Sequence, residues 1–362
     1  MRLLLFADLH LDAPFAWAPP EVSRRRRVRL REALTRICAL ADELDVDALC
    51  CAGDLYEQER FTPDTAAFLR DAFARLHPRP VFLAPGNHDW LGPTSVYRQS
   101  SFTDNVHLFA TNRLAPVTLA EGLTLWGAAH LAPAGTAGLL DGFRVDRGGV
   151  HLALFHGSEQ GGLAFQEVGK ADHAPFTDAQ VPAAGLHHAL VGHFHTPRDA
   201  PHHTYPGNPE PLSFGESGER GAVLITVGPD GSVNRQRHAV ATGRLSDLEV
   251  DLTGVAHGHE VRERVAAAVR GLPAEDVRVT VRGEVAPEVD VRLDDIRDLA
   301  AVVRLGQVTV DYDIDVLAEE NTVRGQFVRD VRAAELTDDV RRRVLITGLR
   351  ALDGRRQELE VR

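Results

Sequence analysis

The sequence predicts a layered α/β fold with a smaller α/β domain and a helical C-terminal segment behind it. Three observations carry that expectation: short apolar runs alternate with helical periodicity up to residue 84, later runs follow one another without long helices, and the chain changes character near Thr242-Gly243. A chain of 362 residues has room for roughly two domains of about 150 residues each.

The elements follow in order. Residues 2–7 (RLLLFA), 46–52 (VDALCCA) and 80–84 (PVFLA) are short apolar runs of the kind that forms strands buried on both faces. Between them the periodicity predicts helices over 23–43 and 63–76, a β-α-β-α-β beginning. Runs at 123–130 (LTLWGAAH), 150–156 (VHLALFH) and 187–192 (HHALVG) predict further strands. The stretch 222–238, with Pro229, Asp230 and Gly231 at its turn, predicts a hairpin in a mixed sheet or sandwich. Then LSDLEVDL, a helical HEVRERVAAAVRGL, VRVTVRGEV and QVTVDYDIDV predict a small domain over 241–317. The segment 318–362 predicts two amphipathic helices, one with a stripe of Val323, Phe327 and Val331, the other with Val340, Val344, Leu345, Leu349 and Leu352. Thr337 with Asp338 and Asp339 marks a helix start, and Gly354 a stop. Such stripes by default pack on their own domain.

Composition limits the function classes. Hydrophobic residues at 44% and charged residues at 25% describe a globular chain, not a disordered one. Asp8 and Asp12 interrupt the opening apolar run, which excludes a signal peptide or a membrane span there, so a cytoplasmic location without membrane association is expected. Cys38, Cys50 and Cys51 are an odd set at apolar positions and read as reduced core residues. The net charge of -12 argues against a general electrostatic nucleic-acid binder. The run RRRRVRLR at 24–31 is open to two readings, a solvated helix face or a local phosphate contact, and the first is the default.

The chemistry collects just behind the apolar runs, where strand ends and loops carry sites in α/β sheets. Asp8 and His10 follow the first run, Asp54 in GDLYE the second, and Asn87, His88 and Asp89 in GNHD the third; His156 ends a later run, and His193 and His195 follow another. The alternating pairs Asp8/His10 and His193/His195 put two side chains on the same side of an extended segment. Singly each feature is weak, and His187, His188, His202, His203, His257 and His259 are read as solvated or structural. Together they form a ligand set of carboxylates, imidazoles and an amide without thiolate, which suits manganese, iron or zinc rather than a structural cysteine site. Asp8, His10, Asp54, Asn87, His156, His193 and His195 are too many ligands for one ion; they divide into two sites if Asp54 bridges them.

This series resembles the calcineurin-like metallophosphoesterase superfamily. Within it, GDLYE, GNHDW, LFHGS, VGHFH and YPGNPEPLSFGE (205–216) are similar to the SbcD-like branch of DNA repair nucleases, as are TVRGQFVRDV and GLRALDGRR near the C-terminus. The resemblance implies an α/β/β/α sandwich over 1–240, a capping domain over 241–317, and helices over 318–362 that bind an SMC-like SbcC-type ATPase. It implies that Asp8, His10, Asp54 and His195 hold one Mn2+ and that Asp54, Asn87, His156 and His193 hold the other. His88 would serve the leaving oxygen, with Asp89 behind it to orient the ring. DNA would be the substrate, cut by exonuclease or endonuclease action, and a homodimer is left open. The chain departs from the pattern at Tyr205-Pro206-Gly207-Asn208, where the family has Y-x-G-S, and in its small cap. Two rivals remain: a stand-alone phosphodiesterase or phosphatase on nucleotides or phosphoproteins, and a non-catalytic DNA-end scaffold.

Overall fold

The computed structural model describes residues 1–161, 172–272 and 276–354. The chain forms two compact units, Met1–Leu245 and Ser246–Arg362.

In the first unit, strand alternation builds the layers. β1 (Arg2–Phe6), β2 (Ala48–Cys51), β3 (Val81–Leu83) and β4 (Val106–Leu108) run parallel, connected through α1 (Pro20–Glu43), α2 (Pro63–Ala74) and the single turn α3 (Val96–Gln99). Leu4, Phe6, Leu49, Cys51, Val81 and Leu83 pack with residues of α1 and α2. Leu3, Leu5, Ala48, Cys50 and Phe82 point to the opposite face and meet Leu125, Leu152, Leu154 and Leu190. Those belong to a second sheet, made of β5 (Ala115–Ala120), β6 (Leu123–Gly127), β7 (Val150–His156), β8 (His188–Gly192), β9 (Arg198–Asp199) and β10 (His203–Tyr205), in the order β5-β6-β7-β8-β10-β9. Its outer face buries Trp126, Ala153, Phe155, Ala189 and Val191 with Val181 of the short α4 (Gln180–Ala183). The sandwich is therefore the expected one, its outer helical layer, among the described residues, being one turn and loops.

The hairpin expected at 222–238 forms as β11 (Gly221–Val227) and β12 (Val233–Ala239), and it returns to the first sheet. β11 pairs antiparallel with β1, giving the order β12-β11-β1-β2-β3-β4. Val223 and Ile225 join the core between the sheets while Ala222 and Leu224 face the helices; a slip of one residue would exchange the two sets. Helix α1 starts at Pro20, three residues before the expected 23, because proline is preorganised for a first turn. The arginine run it carries is largely engaged by the protein itself. Arg26 is fully buried, 3.3 Å from Glu210; Arg31 lies 2.6 Å from Asp64, and Arg29 bonds Thr242 at 2.7 Å. The three cysteines are free, and burial pushes the Cys38 and Cys50 thiols up to about 12.

In the second unit, β13 (Leu245–Asp251), β14 (Asp276–Val285) and β15 (Val302–Val310) form a sheet in that order, with α5 (Gly258–Arg270) started by a capping box of His257 and Glu260. The strand expected over 307–316 stops at Val310, because the Asp313 side chain accepts the Val316 N–H at 3.0 Å and begins α6 (Ile314–Glu319). Helices α7 (Val323–Ala333) and α8 (Asp338–Leu352) are capped by Thr322 and Thr337. Val328, Val331, Leu345 and Leu349 share one apolar cluster with Val310, Tyr312 and Leu317, so the segments on either side of residue 318 fold around a common core. Of the stripe expected on α7, Phe327 and Val331 pack in this core and Val328 joins them, while Val323 is 76% exposed. On α8, Leu345 and Leu349 face inward and Val344 and Leu352 outward. Arg355 and Arg356 of the terminal motif lie outside the described residues. Among the described residues no helix is long and apolar enough to cross a membrane.

Candidate active site

The site forms where parallel strands of both sheets end. Asp8, His10 and Asp54 have φ of 54°, 51° and 52°, and His193 has 117°. Such left-handed backbone costs about 1–2 kcal/mol per residue outside glycine. Gly53, at φ +92°, lets the loops close up, since a Cβ there would stand 2.7 Å from His156 Nδ1.

The side chains converge in overlapping groups, one of them His10, Glu57 and His88. Asp8, His10 and His195 bring ligand atoms within 4.8 Å of one another, and so do Asp8, Asp54 and His156. Around His156 Nε2 stand Asn87 Oδ1 at 3.0 Å, His193 Nδ1 at 3.2 Å and Asp54 Oδ2 at 3.3 Å. The same Asp54 oxygen is 3.6 Å from His10 Nε2. The structure thus brings together every residue expected as a ligand; Asp8 belongs to two of the groups, and one Asp54 oxygen faces both His10 and His156.

The donor set fits divalent cations. Glu57 Oε1 accepts from His10 Nδ1 at 2.8 Å, Glu216 Oε1 from His195 Nδ1 at 2.9 Å, and the Ala52 carbonyl from His156 Nδ1 at 2.9 Å. These oxygens only accept, so each Nδ1 carries a proton and Nε2 is the ring nitrogen turned toward the space between the ligands. His10 Nε2 is buried and makes no hydrogen bond. Burial pushes the Asp8 carboxyl up, the behaviour of an acid short of positive charge. Burial also opposes the charge of Asp54, but the His156, His88 and His10 rings outweigh it and hold that carboxyl well below its usual range. Burial works against His156 as well, and the Asp54 carboxylate outweighs it, raising the ring to about 9.

Asp89 does not stand behind His88 as expected. Its buried carboxylate accepts hydrogen bonds from the N–H groups of Asp54, Leu55 and Gly86 at 3.0, 2.9 and 2.6 Å, and from the Tyr97 hydroxyl at 2.5 Å. With both oxygens engaged by these four donors, Asp89 ties the loops after β2 and β3 together. The residue that holds the His88 ring is Glu57, whose Oε2 is 3.0 Å from Nδ1.

Glu57 and Glu216 escaped the sequence reading, although both stand in quoted motifs, GDLYE and YPGNPEPLSFGE. The available signal was an acid three residues after Asp54 and another at the end of a glycine- and proline-rich loop. The histidines left out of the ligand set do other work: His202 and His203 share Asp178 at 2.8 and 2.7 Å, His188 bonds Thr204 at 2.9 Å, and His187 Nδ1 accepts the His151 N–H.

Residues 1–197, which include all the converging ligands and His88, match the family model described as calcineurin-like phosphoesterase. The chain belongs to the calcineurin-like phosphoesterase family. The family is one of phosphoesterases, hydrolases that use divalent metal ions. This phosphoesterase is 30% identical to the DNA double-strand break repair protein Mre11 of Haloferax volcanii over 361 residues, 96% of this chain and 74% of that protein. It is 26% identical to the uncharacterized metallophosphoesterase YhaO of Bacillus subtilis over 235 residues, 61% of this chain and 56% of that one. The chain thus spans little more than half the length of YhaO. The crystal structure of TT1561 of Thermus thermophilus overlaps with a TM-score of 0.37 at 13% identity, over 66% of this chain and 98% of that one.

Proposed function

We propose that this phosphoesterase is a DNA nuclease that hydrolyses phosphodiester bonds with two manganese ions, as the nuclease partner of an SMC-like SbcC-type ATPase in double-strand break repair. The convergence of Asp8, His10, Asp54, Asn87, His156, His193 and His195 on one space carries the reading. The likeness to Mre11 supports the DNA substrate, because it extends over 96% of the chain and so takes in the second unit as well.

In this reading Asp8, His10, Asp54 and His195 hold one cation, and Asp54, Asn87, His156 and His193 the other. When bound, the pair supplies Lewis acidity toward the phosphoryl group and makes water nucleophilic at neutral pH. His88 performs the proton transfer. Its side chain is 32% exposed, open to substrate, and Glu57 takes its Nδ1–H. The Glu57 carboxylate stabilises the ring when it is positive, so that Nε2 can give a proton to the leaving oxygen. The net charge of -12 leaves much of the DNA affinity to a partner. Outward-facing Val316, Val323, Val344 and Leu352 on α6, α7 and α8 supply apolar surface for one. Free cysteines, two of them buried, suit the cytoplasm.

The test is cleavage by the purified chain with manganese, alone and with an SMC-like SbcC-type ATPase added, of labelled linear duplex DNA, single-stranded DNA and a chromogenic phosphodiester. Cleavage of DNA that stops on chelation is expected. Hydrolysis of the chromogenic diester with DNA left whole in every mixture would favour the small-substrate phosphodiesterase. Binding of DNA ends without hydrolysis of either would favour the scaffold.

A further inference from the structure

We propose that Asn208 is a positioning residue for the metal ligand His195, acting through Glu216. The proposal rests on His195 being a metal ligand, and it gives a task to the position where this chain departs from the family's Y-x-G-S.

His195 can present Nε2 to a cation only while Nδ1 is held as a donor, and Glu216 Oε1 holds it at 2.9 Å. Glu216 in turn must be aimed. Its Oε2 accepts from Asn208 Nδ2 at 2.7 Å and from the Leu212 N–H at 2.7 Å, with the Ser213 N–H at 3.4 Å. Leu212 and Ser213 sit on Glu216's own turn, so they move with it. Asn208 is anchored elsewhere: it is fully buried, its N–H donates to the His195 carbonyl at 3.3 Å, and its Nδ2 also reaches the Glu210 carbonyl at 3.1 Å.

Arg220 closes the ring. Its Nη1 donates to the His195 carbonyl at 2.7 Å and to Asn208 Oδ1, while its Nε donates to the Glu216 carbonyl at 3.1 Å. The asparagine therefore grips His195 twice, through the backbone directly and through the ring by way of Glu216. Gly207 allows the approach, since at φ +74° a Cβ would stand 2.6 Å from the His195 carbonyl oxygen. A serine in place of Asn208 would keep the backbone bond to His195 but not the reach to Glu216. Its hydroxyl ends one bond short of the amide nitrogen and presents one polar atom where the amide presents two.

The experiment is a titration of the full chain, first stripped of metal, with manganese(II) alone, followed by calorimetry and by the electron paramagnetic resonance signal of free manganese. Wild type is expected to take up two ions. Asn208→Ser should melt cooperatively in chelator and keep one site at wild-type affinity, while the other weakens by about 10–100-fold, the usual effect of losing a partner behind a ligand. A packing role alone would shift the melting temperature and leave both affinities in place, and that result overturns the proposal. Should Asn208→Ser fail to fold, Glu216→Ala decides by the same criterion: loss at one site supports the relay, and two unchanged sites refute it. Wild type that takes up no manganese would instead remove the ligand reading, and the relay with it.

Discussion

The Glu57 carboxylate holds His88 from behind, Oε2 to Nδ1 at 3.0 Å, while its other oxygen holds His10 at 2.8 Å. One side chain therefore sets the orientation of an expected metal ligand and of the expected proton donor. Burial opposes its charge, but the hydrogen bonds from the two rings prevail and hold the Glu57 carboxyl down at about 2. Glu57→Gln leaves a single acceptor oxygen for two ring N–H groups. Its kcat for phosphodiester hydrolysis should fall by about 10–100-fold with little change in melting temperature. His88→Ala should lose about 10²–10⁴-fold. Wild-type kcat in Glu57→Gln would remove the coupling.

The buried pair Arg26–Glu210 fastens the chain just before the second unit. Both side chains are fully buried, and the Glu210 carboxylate accepts the N–H groups of Thr242 and Gly243 at 3.0 and 3.1 Å. Glu210→Ala leaves a buried guanidinium without its carboxylate and should cost about 3–5 kcal/mol in urea unfolding. The double variant Arg26→Met/Glu210→Leu should lose markedly less. Equal losses in the two would mean that the charges matter less than the bonds to Thr242 and Gly243.

His188 makes stability fall in acid. Burial, with Arg235 close by, pushes the ring down to about 3. The unfolded chain takes up this proton near pH 6.5, as an ordinary histidine does. Between about pH 6.5 and 3 the unfolded state binds more protons, so unfolding becomes easier as pH falls, by up to ~1.4 kcal/mol per pH unit from this group, with no contribution above that window. Unfolding curves at pH 8, 6 and 5 should show a steeper decline for wild type than for His188→Gln. Parallel declines would assign the acid sensitivity elsewhere.

Gly53→Ala should damage both stability and metal uptake. The added methyl would meet His156 Nδ1 at 2.7 Å and the Gly86 nitrogen at 2.8 Å, at a left-handed backbone position. Destabilisation of about 1–3 kcal/mol is expected, with weaker manganese binding. Full metal affinity in a correctly folded variant would show that the loops have room to give.

Much of the site was legible because its residues are spaced along single strand ends: Asp8 and His10 after β1, Asn87 and His88 after β3, His193 and His195 after β8. The unbroken apolar run of β1 also revealed a strand buried on both faces. What escaped was set by contacts between distant segments. No local pattern says that Asp89 would meet donors from the loop after β2 and from Tyr97, leaving His88 to Glu57. Likewise the hairpin of β11 and β12 was clear from its turn, but its pairing with β1 depends on which edge of which sheet is free. On α7, Phe327 and Val331 take the expected core places, but Thr322 starts the helix with Val323 facing outward, and packing on Tyr312 and Leu317 brings in Val328.

The most direct measurement is anomalous diffraction at the manganese edge from crystals of the full chain grown with manganese. Two peaks are expected, one among Asp8, His10 and His195, the other among Asn87, His156 and His193, with Asp54 touching both. A single peak, or two peaks that do not share Asp54, would contradict the two-cation centre.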